Sequence, residues 1–258
     1  MKTKIKYLSL VILMTAFLTG CFTHEYEFGN GSINDEIRTV PSFNAISSSG
    51  NFDVYFEYND SSEVTVSCES NLIQYIETAV FENELKIRIP SFITLRPTKA
   101  IEIYVRGPQV ESIKLSGAGL IHTDSVNSKN LVLELSGAGK IVADFYGENL
   151  FTNISGAGKI DVFALCNNYE LNVSGSGDIE LFGSAKYSKY RISGSGSVKA
   201  YKFPVLEADV NVSGSGSLFL NVEDKMKANI SGSGSIHYLG HPSIESNISG
   251  TGRLFNMN

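Results

Sequence analysis

A chain of 258 residues admits one large domain or two smaller ones. Its 27 acidic side chains outnumber 21 basic ones, a net charge of −6. Three of the lysines lie in a removable leader, and without it the charge becomes −9, which excludes nucleic acid and an anionic membrane surface as expected partners.

The leader is residues 1–20. Lys2, Lys4 and Lys6 form a positive n-region, and Leu8 to Phe17 form an apolar stretch too short to span a bilayer, which together read as a secretion signal. It ends in Leu18-Thr19-Gly20-Cys21, which resembles the bacterial lipobox, where cleavage before the cysteine is coupled to diacylation of its thiol. Cys21 is therefore the expected lipidation site and the chain's partner there is a membrane, held through two or three acyl chains. The expected address is the bacterial cell envelope, on the periplasmic or the surface face of the outer membrane. Residues 21–39 are rich in Gly, Asn and acids with weak periodicity, and are expected to be a tether.

Residues 40–112 show period-2 alternation: Phe52, Val54, Phe56 and Tyr58, then Val64 and Val66, then Leu85, Ile87 and Ile89, then Ile101, Ile103 and Val105. Asn59-Asp60-Ser61-Ser62 reads as a hairpin turn, and Asn71 to Glu77 as one helical turn. This β-rich, non-repeat region is expected to cap the first coil of the repeats.

Residues 113–258 carry eight copies of Ser-Gly-(Ala/Ser/Thr)-Gly, beginning at Ser116, Ser136, Ser155, Ser174, Ser193, Ser213, Ser231 and Ser249, with gaps of 20, 19, 19, 19, 20, 18 and 18 residues. Such a period predicts a solenoid. Two aliphatic columns accompany the motif. One precedes each Ser (Leu115, Leu135, Ile154, Val173, Ile192, Val212, Ile230, Ile248). The other lies two residues beyond each second Gly (Ile121, Ile141, Ile160, Ile179, Val198, Leu218, Ile236, Leu254). Most are β-branched, so these are strands, and coils this short leave no room for a crossover helix. The expected fold is an all-β, right-handed parallel β-helix with ~19-residue coils, stacked about 4.8 Å apart over roughly 34 Å.

Two readings of the Ser-Gly-x-Gly station stay open. In one it is a corner, with glycines supplying positive φ. In the other it is a straight strand whose glycines point inward, leaving an outward strip of small polar groups as a ligand surface. That candidate surface comprises Asn153, Ser155, Asn172, Ser174, Ser193, Asn211, Ser213, Asn229 and Ser231. The last coil is incomplete, so its edge is a candidate contact for a second copy of the chain. Cys68 and Cys166, one in each region, read as unpaired buried thiols.

No catalytic, cofactor or metal constellation stands out. The Gly-x-Gly pairs lack the third glycine of a dinucleotide fingerprint and lead into strands. His24, His122, His237 and His241 have no partners at metal-ligand spacing, and calcium β-roll repeats carry an Asp in every copy, unlike these. A polysaccharide-cleaving enzyme is the main alternative, with Asp144, Asp161, Asp178 and Glu180 as its acids. Tyr146, Phe163, Phe182, Tyr201, Phe203, Phe219 and Tyr238 recur after the motif, placed either to stack on sugar rings or to fill the core.

From about residue 40 the chain resembles a family of Bacteroidetes lipoproteins, the auto-transporter adhesin head GIN domain. The likeness rests on Asn51-Phe-Asp-Val-Tyr-Phe, on Glu84-Leu-Lys-Ile, and on the passage from Ile101-Glu-Ile-Tyr-Val to Leu115-Ser-Gly-Ala-Gly. It implies a β-helical envelope protein with an adhesive role and offers no catalytic residues. The expectation is a non-catalytic binding or adhesion module for a glycan or another surface component, with an outer-membrane assembly protein as a further alternative.

Overall fold

The computed structural model describes residues 25–258; the secretion signal, the lipobox and Cys21 lie outside the described residues. The eight motif serines are parallel register partners from coil to coil, from Ser116 to Ser249. The fold is a β-solenoid. Each coil supplies one strand to a wall that leads into the motif, as Asn168–Gly175 does, and one to a wall that leaves it, as Lys159–Leu165 does.

Inward side chains from both walls meet in one core. Both aliphatic columns are buried except in the last coil, where Ile248 is exposed and Leu254 half-buried. At about 1.5–3 kcal/mol per buried aliphatic side chain, these columns contribute tens of kcal/mol of gross cohesion. Tyr169, Tyr190 and Phe203 are among the largest fully buried side chains, with Tyr169 edge-on to Tyr190 at 5.7 Å and to Phe203 at 5.4 Å between ring centroids.

The motif station is a corner, and its two glycines serve different ends. The first has positive φ in every copy, +132° at Gly175 for instance. There an added Cβ would stand 2.5 Å from the Gly156 carbonyl oxygen in the preceding coil. The second glycine is buried, and a Cβ on Gly177 would stand 2.4 Å from Cγ2 of Ile154. One glycine turns the chain, and the other lets the corner close onto the aliphatic column.

The parallel stack continues beyond the repeats. Ala45–Gly50 and Asp53–Tyr58 pair in register with Ser112–Gly117 and with residues 120–123, placing Ser49-Gly50 at the motif station with φ +153° at Gly50. Phe52 takes the place of the second glycine and is fully buried. Glu84–Arg88 and Glu102–Gly107 add a further parallel layer. Beyond it the pairing turns antiparallel: Glu63–Glu69 runs against residues 102–106 and against Ile33–Thr39, and Glu77–Phe81 against Glu84–Arg88.

Three local expectations meet specific outcomes here. The 59–62 turn forms, with the Asn59 side chain accepting from the Ser61 amide at 2.9 Å, but it does not make a hairpin. The strand after it pairs with residues 102–106, because 53–56 is already bonded on both edges. The helical turn is a 3-10 turn at Ile73–Tyr75. Instead of a loose tether, residues 25–39 form the strands Glu25–Phe28 and Ile33–Thr39. Arg38 secures the second by donating to the carbonyls of Ile76 and Ile73 and to the Thr78 hydroxyl.

Candidate functional site

Asparagines of the leading wall bond one another from coil to coil, although Asn211 donates its own amide to Asp209 at 3.1 Å. Asn172 Nδ2 donates to Asn153 Oδ1 at 3.0 Å, and Asn229 to Asn211 at 3.0 Å. A second ladder, Asn168 to Asn149 to Asn130, runs at 2.8 and 2.7 Å. Arg191 interrupts the first ladder and pairs with Glu170. Asn153, Asn172, Asn211 and Asn229 are half-buried, whereas Ser155, Ser174, Ser193, Ser213 and Ser231 are exposed at the corner. The structure thus brings all nine residues into register along one edge and gives the amides the task of tying coil to coil.

The wall that leaves the motif is chemically richer. Its outward row runs through Tyr104, Tyr55, His122, Val142, Asp161, Glu180, Lys199, Phe219, His237 and Phe255. Aromatic groups therefore occupy its two ends and charges its middle. Of the aromatics flagged in the sequence, Phe203 and Tyr238 point into the core, while Tyr146, Phe163, Phe182, Tyr201 and Phe219 remain partly open to solvent on this wall.

Both coils of 20 residues put their extra residue here. In the Ser116 coil, register with the next coil slips between His122 and Ser125, so Thr123 and Asp124 accommodate it. In the Ser193 coil, Glu180 pairs with Lys199 but Phe182 with Lys202, and on the other side Ala200 pairs with Leu220 but Pro204 with Asn221. Tyr201, Lys202 and Phe203 thus form a bulge. Bulges re-aim side chains, and each of these walls a concavity.

The concavity beside the Ser116 coil, of about 470 Å³, is lined by Asp35, Tyr55, Glu57, Tyr104, His122 and Asp124 among others. Several of its groups are committed to one another. Tyr55 and Tyr104 stack on each other at 5.3 Å, the Tyr104 hydroxyl donates to Glu102 at 2.8 Å, and Arg106 pairs with Glu57 at 3.1 Å. Burial, then the charges of Asp53 and Glu102, raise the Tyr55 pKa above its ordinary value. The bond to Glu102, then burial, does the same for Tyr104.

The groove beside the Ser193 coil, of about 280 Å³, is lined by Glu180, Leu181, Phe182, Lys199, Tyr201, Lys202 and Phe219. Its groups are not committed in the same way. The Tyr201 ring stands edge-on to Phe219 at 5.5 Å, and its hydroxyl is shielded from solvent without a hydrogen-bond partner among the described residues. Burial raises its pKa, so it is a neutral donor. The Lys202 ammonium lies 5.2 Å from the centre of the Phe182 ring. Phe219, His237 and Phe255 cover one another's faces at 4.8 and 4.6 Å, leaving Phe182 as the platform on which a flat ligand can lie.

The acids considered for sugar cleavage do not form a catalytic pair. Asp161 and Glu180 adjoin in register, but Lys159 bridges them at 2.9 and 3.4 Å and Lys140 holds Asp161 at 2.8 Å. Burial pushes the Asp161 pKa up, yet the two lysines outweigh it and the net direction is down. A general acid needs the opposite. Asp178 lies in the adjoining outward column and Asp144 opposite Phe163.

Residues 42–242 match the family model described as "Putative auto-transporter adhesin, head GIN domain". The chain belongs to that family. A solved structure from Parabacteroides distasonis, described as a putative lipid binding protein, shares 26% identity at a TM-score of 0.87 over 91% of this chain and 100% of that one. A putative adhesin from Parabacteroides merdae shares 22% identity at a TM-score of 0.86, with the same coverage. Another from Bacteroides fragilis shares 21% at a TM-score of 0.69 over 89% and 99% of the two chains. The last two attest the fold alone. No curated protein matches the chain. Within this head GIN domain the open groove lies at the bulge of the Ser193 coil; the sequence marks Phe182, Tyr201 and Phe219 as candidate stacking residues and that coil by its 20-residue gap.

Proposed function

We propose that this head GIN domain is a non-catalytic binding module of the bacterial cell envelope, anchored through Cys21, and that it holds a glycan on the wall that leaves the motif. The observation that carries this reading is the groove at residues 180–182, 199, 201, 202 and 219, where an aromatic platform and two ammonium groups converge. Sugar recognition combines a ring stacked on an aromatic face with a few placed polar groups, and a groove of about 280 Å³ suits one or two rings. The lysine-bridged acids favour binding over cleavage.

The test is a glycan panel read by direct binding, with product analysis alongside. Phe182→Ala and Tyr201→Ala should each weaken the best ligand by about tenfold, the loss of roughly 1.4 kcal/mol of stacking. Ser174→Ala and Ser193→Ala at the motif corner should leave it unchanged. Loss of binding from the corner substitutions and not the groove would move the site to the Asn/Ser edge. Release of cleaved sugar would replace the reading with an enzyme, and binding of acyl chains but no sugar would replace it with a lipid carrier.

A further inference from the structure

We infer that the groove of the Ser193 coil selects a sugar ring bearing a carboxylate, a hexuronate unit within a glycan; this rests on the binding reading above and names its ligand class. Three observations carry it. First, the groove's one acid is already engaged, since Glu180 is held by Lys159, whereas Lys199 and Lys202 have no carboxylate partner among the described residues. That leaves the groove locally cationic in a chain of net charge −6.

Second, Lys202 is exposed and its ammonium rests over Phe182, the platform a ring would use. A neutral ring has to displace that ammonium from the aromatic face and offers it only hydroxyl and ring oxygens, weaker acceptors than a carboxylate. A ring with a carboxylate draws Lys202 aside into a charge-assisted hydrogen bond and uncovers Phe182 in the same movement. Stacking and charge recognition are therefore coupled through one side chain. Third, Lys199 lies in register between Glu180 and Phe219, on the coil whose bulge carries Tyr201 and Lys202. The two ammonium groups can thus approach one anion from a shared strand, beside the Tyr201 ring. The acidic surroundings count against a dense polyanion, so the expected ligand carries isolated uronates among neutral sugars.

The experiment is titration calorimetry of the full chain with uronate-containing oligosaccharides, the same oligosaccharides after reduction of their carboxylates to alcohols, and inorganic phosphate. The acidic form should bind about tenfold more tightly than the reduced form, a difference of about 1.4 kcal/mol. That ratio should shrink toward one in roughly 0.5 M salt. The double variant Lys199→Gln/Lys202→Gln should bring the ratio of the two affinities to about one while keeping its melting temperature. Equal affinity for both forms would overturn the inference and leave glycan binding standing. Phosphate binding as tightly as the uronate would also overturn it, as charge capture without a ring. If neither oligosaccharide binds, both this inference and the binding reading fall.

Discussion

Adding one methyl group to the first glycine of a motif should unfold the solenoid locally, and Gly175→Ala is the cleanest case. At φ +132° an L side chain is strained by about 1–3 kcal/mol. In addition, its Cβ would meet the Gly156 carbonyl oxygen at 2.5 Å and the Gly156 nitrogen at 3.1 Å. Both are backbone atoms of the neighbouring coil and cannot turn aside. The smaller entropy of the unfolded alanine chain returns only about 0.4–1 kcal/mol, so a net loss of about 2–4 kcal/mol is expected. For a domain of this size that lowers the melting temperature by roughly 4–16 °C. Gly177→Ala is its counterpart, because the obstacle there is Cγ2 of Ile154, a side chain. Trimming that side chain in Gly177→Ala/Ile154→Ala should make the pair less destabilising than the sum of the two single changes, whereas no side-chain truncation should rescue Gly175→Ala. Ser176→Ala, between the two glycines, is the control and should stay within about 0.5 kcal/mol. Thermal unfolding by circular dichroism reads all of these. An unchanged melting temperature in Gly175→Ala would refute the stacked-corner geometry.

Individual side chains elsewhere in the solenoid lead to further expected outcomes. Burial pushes the Cys68 thiol up to about 11 and the Cys166 thiol up to about 12, so both stay protonated near neutral pH. Mass mapping after alkylation should find them unmodified in the native chain and modified after denaturation. Glu69 accepts from the Thr98 hydroxyl at 2.7 Å and from the amides of Thr98 and Gly31 at 2.8 and 2.6 Å, and these bonds hold its pKa below the ordinary value. A lowered folded pKa stabilises fully above about pH 4.3 and is lost as pH falls toward the folded value. Urea midpoints should accordingly drop with acid below about pH 4 in the wild type and drop less in Glu69→Gln. Asn172→Ala should cost about 0.5–1.5 kcal/mol through the ladder bond to Asn153, measured by the same denaturation, without altering glycan binding.

The solenoid was readable because its cause recurs: the same glycines and aliphatics at a fixed interval leave one way to superpose them. Where the interval is present but the residues change, the pattern is lost. Ser49-Gly50 sits at the motif station, yet Phe52 in place of the second glycine disguises the extra coil. The choice between corner and strip could not be made from composition, since the first glycine is conformational and the second steric. The asparagine column was visible, but its side chains being bonded to each other is a property of stacking at about 4.8 Å, not of any single coil. The groove was the hardest to see. A 20-residue gap says that one residue is extra without saying where, and Tyr201 and Phe203 differ in fate only because the bulge sets their facing.

That bulge carries a wider consequence. Because each turn is bonded only to its two neighbours, an added residue is absorbed near where it enters, and from Glu207 opposite Lys225 the strands run in step to the next motif serines. Recognition chemistry can consequently be relocated along the rod, one turn at a time, without renegotiating the interior. Moving the Tyr201-Lys202 insertion into a 19-residue turn should then carry the groove to a new place on the rod.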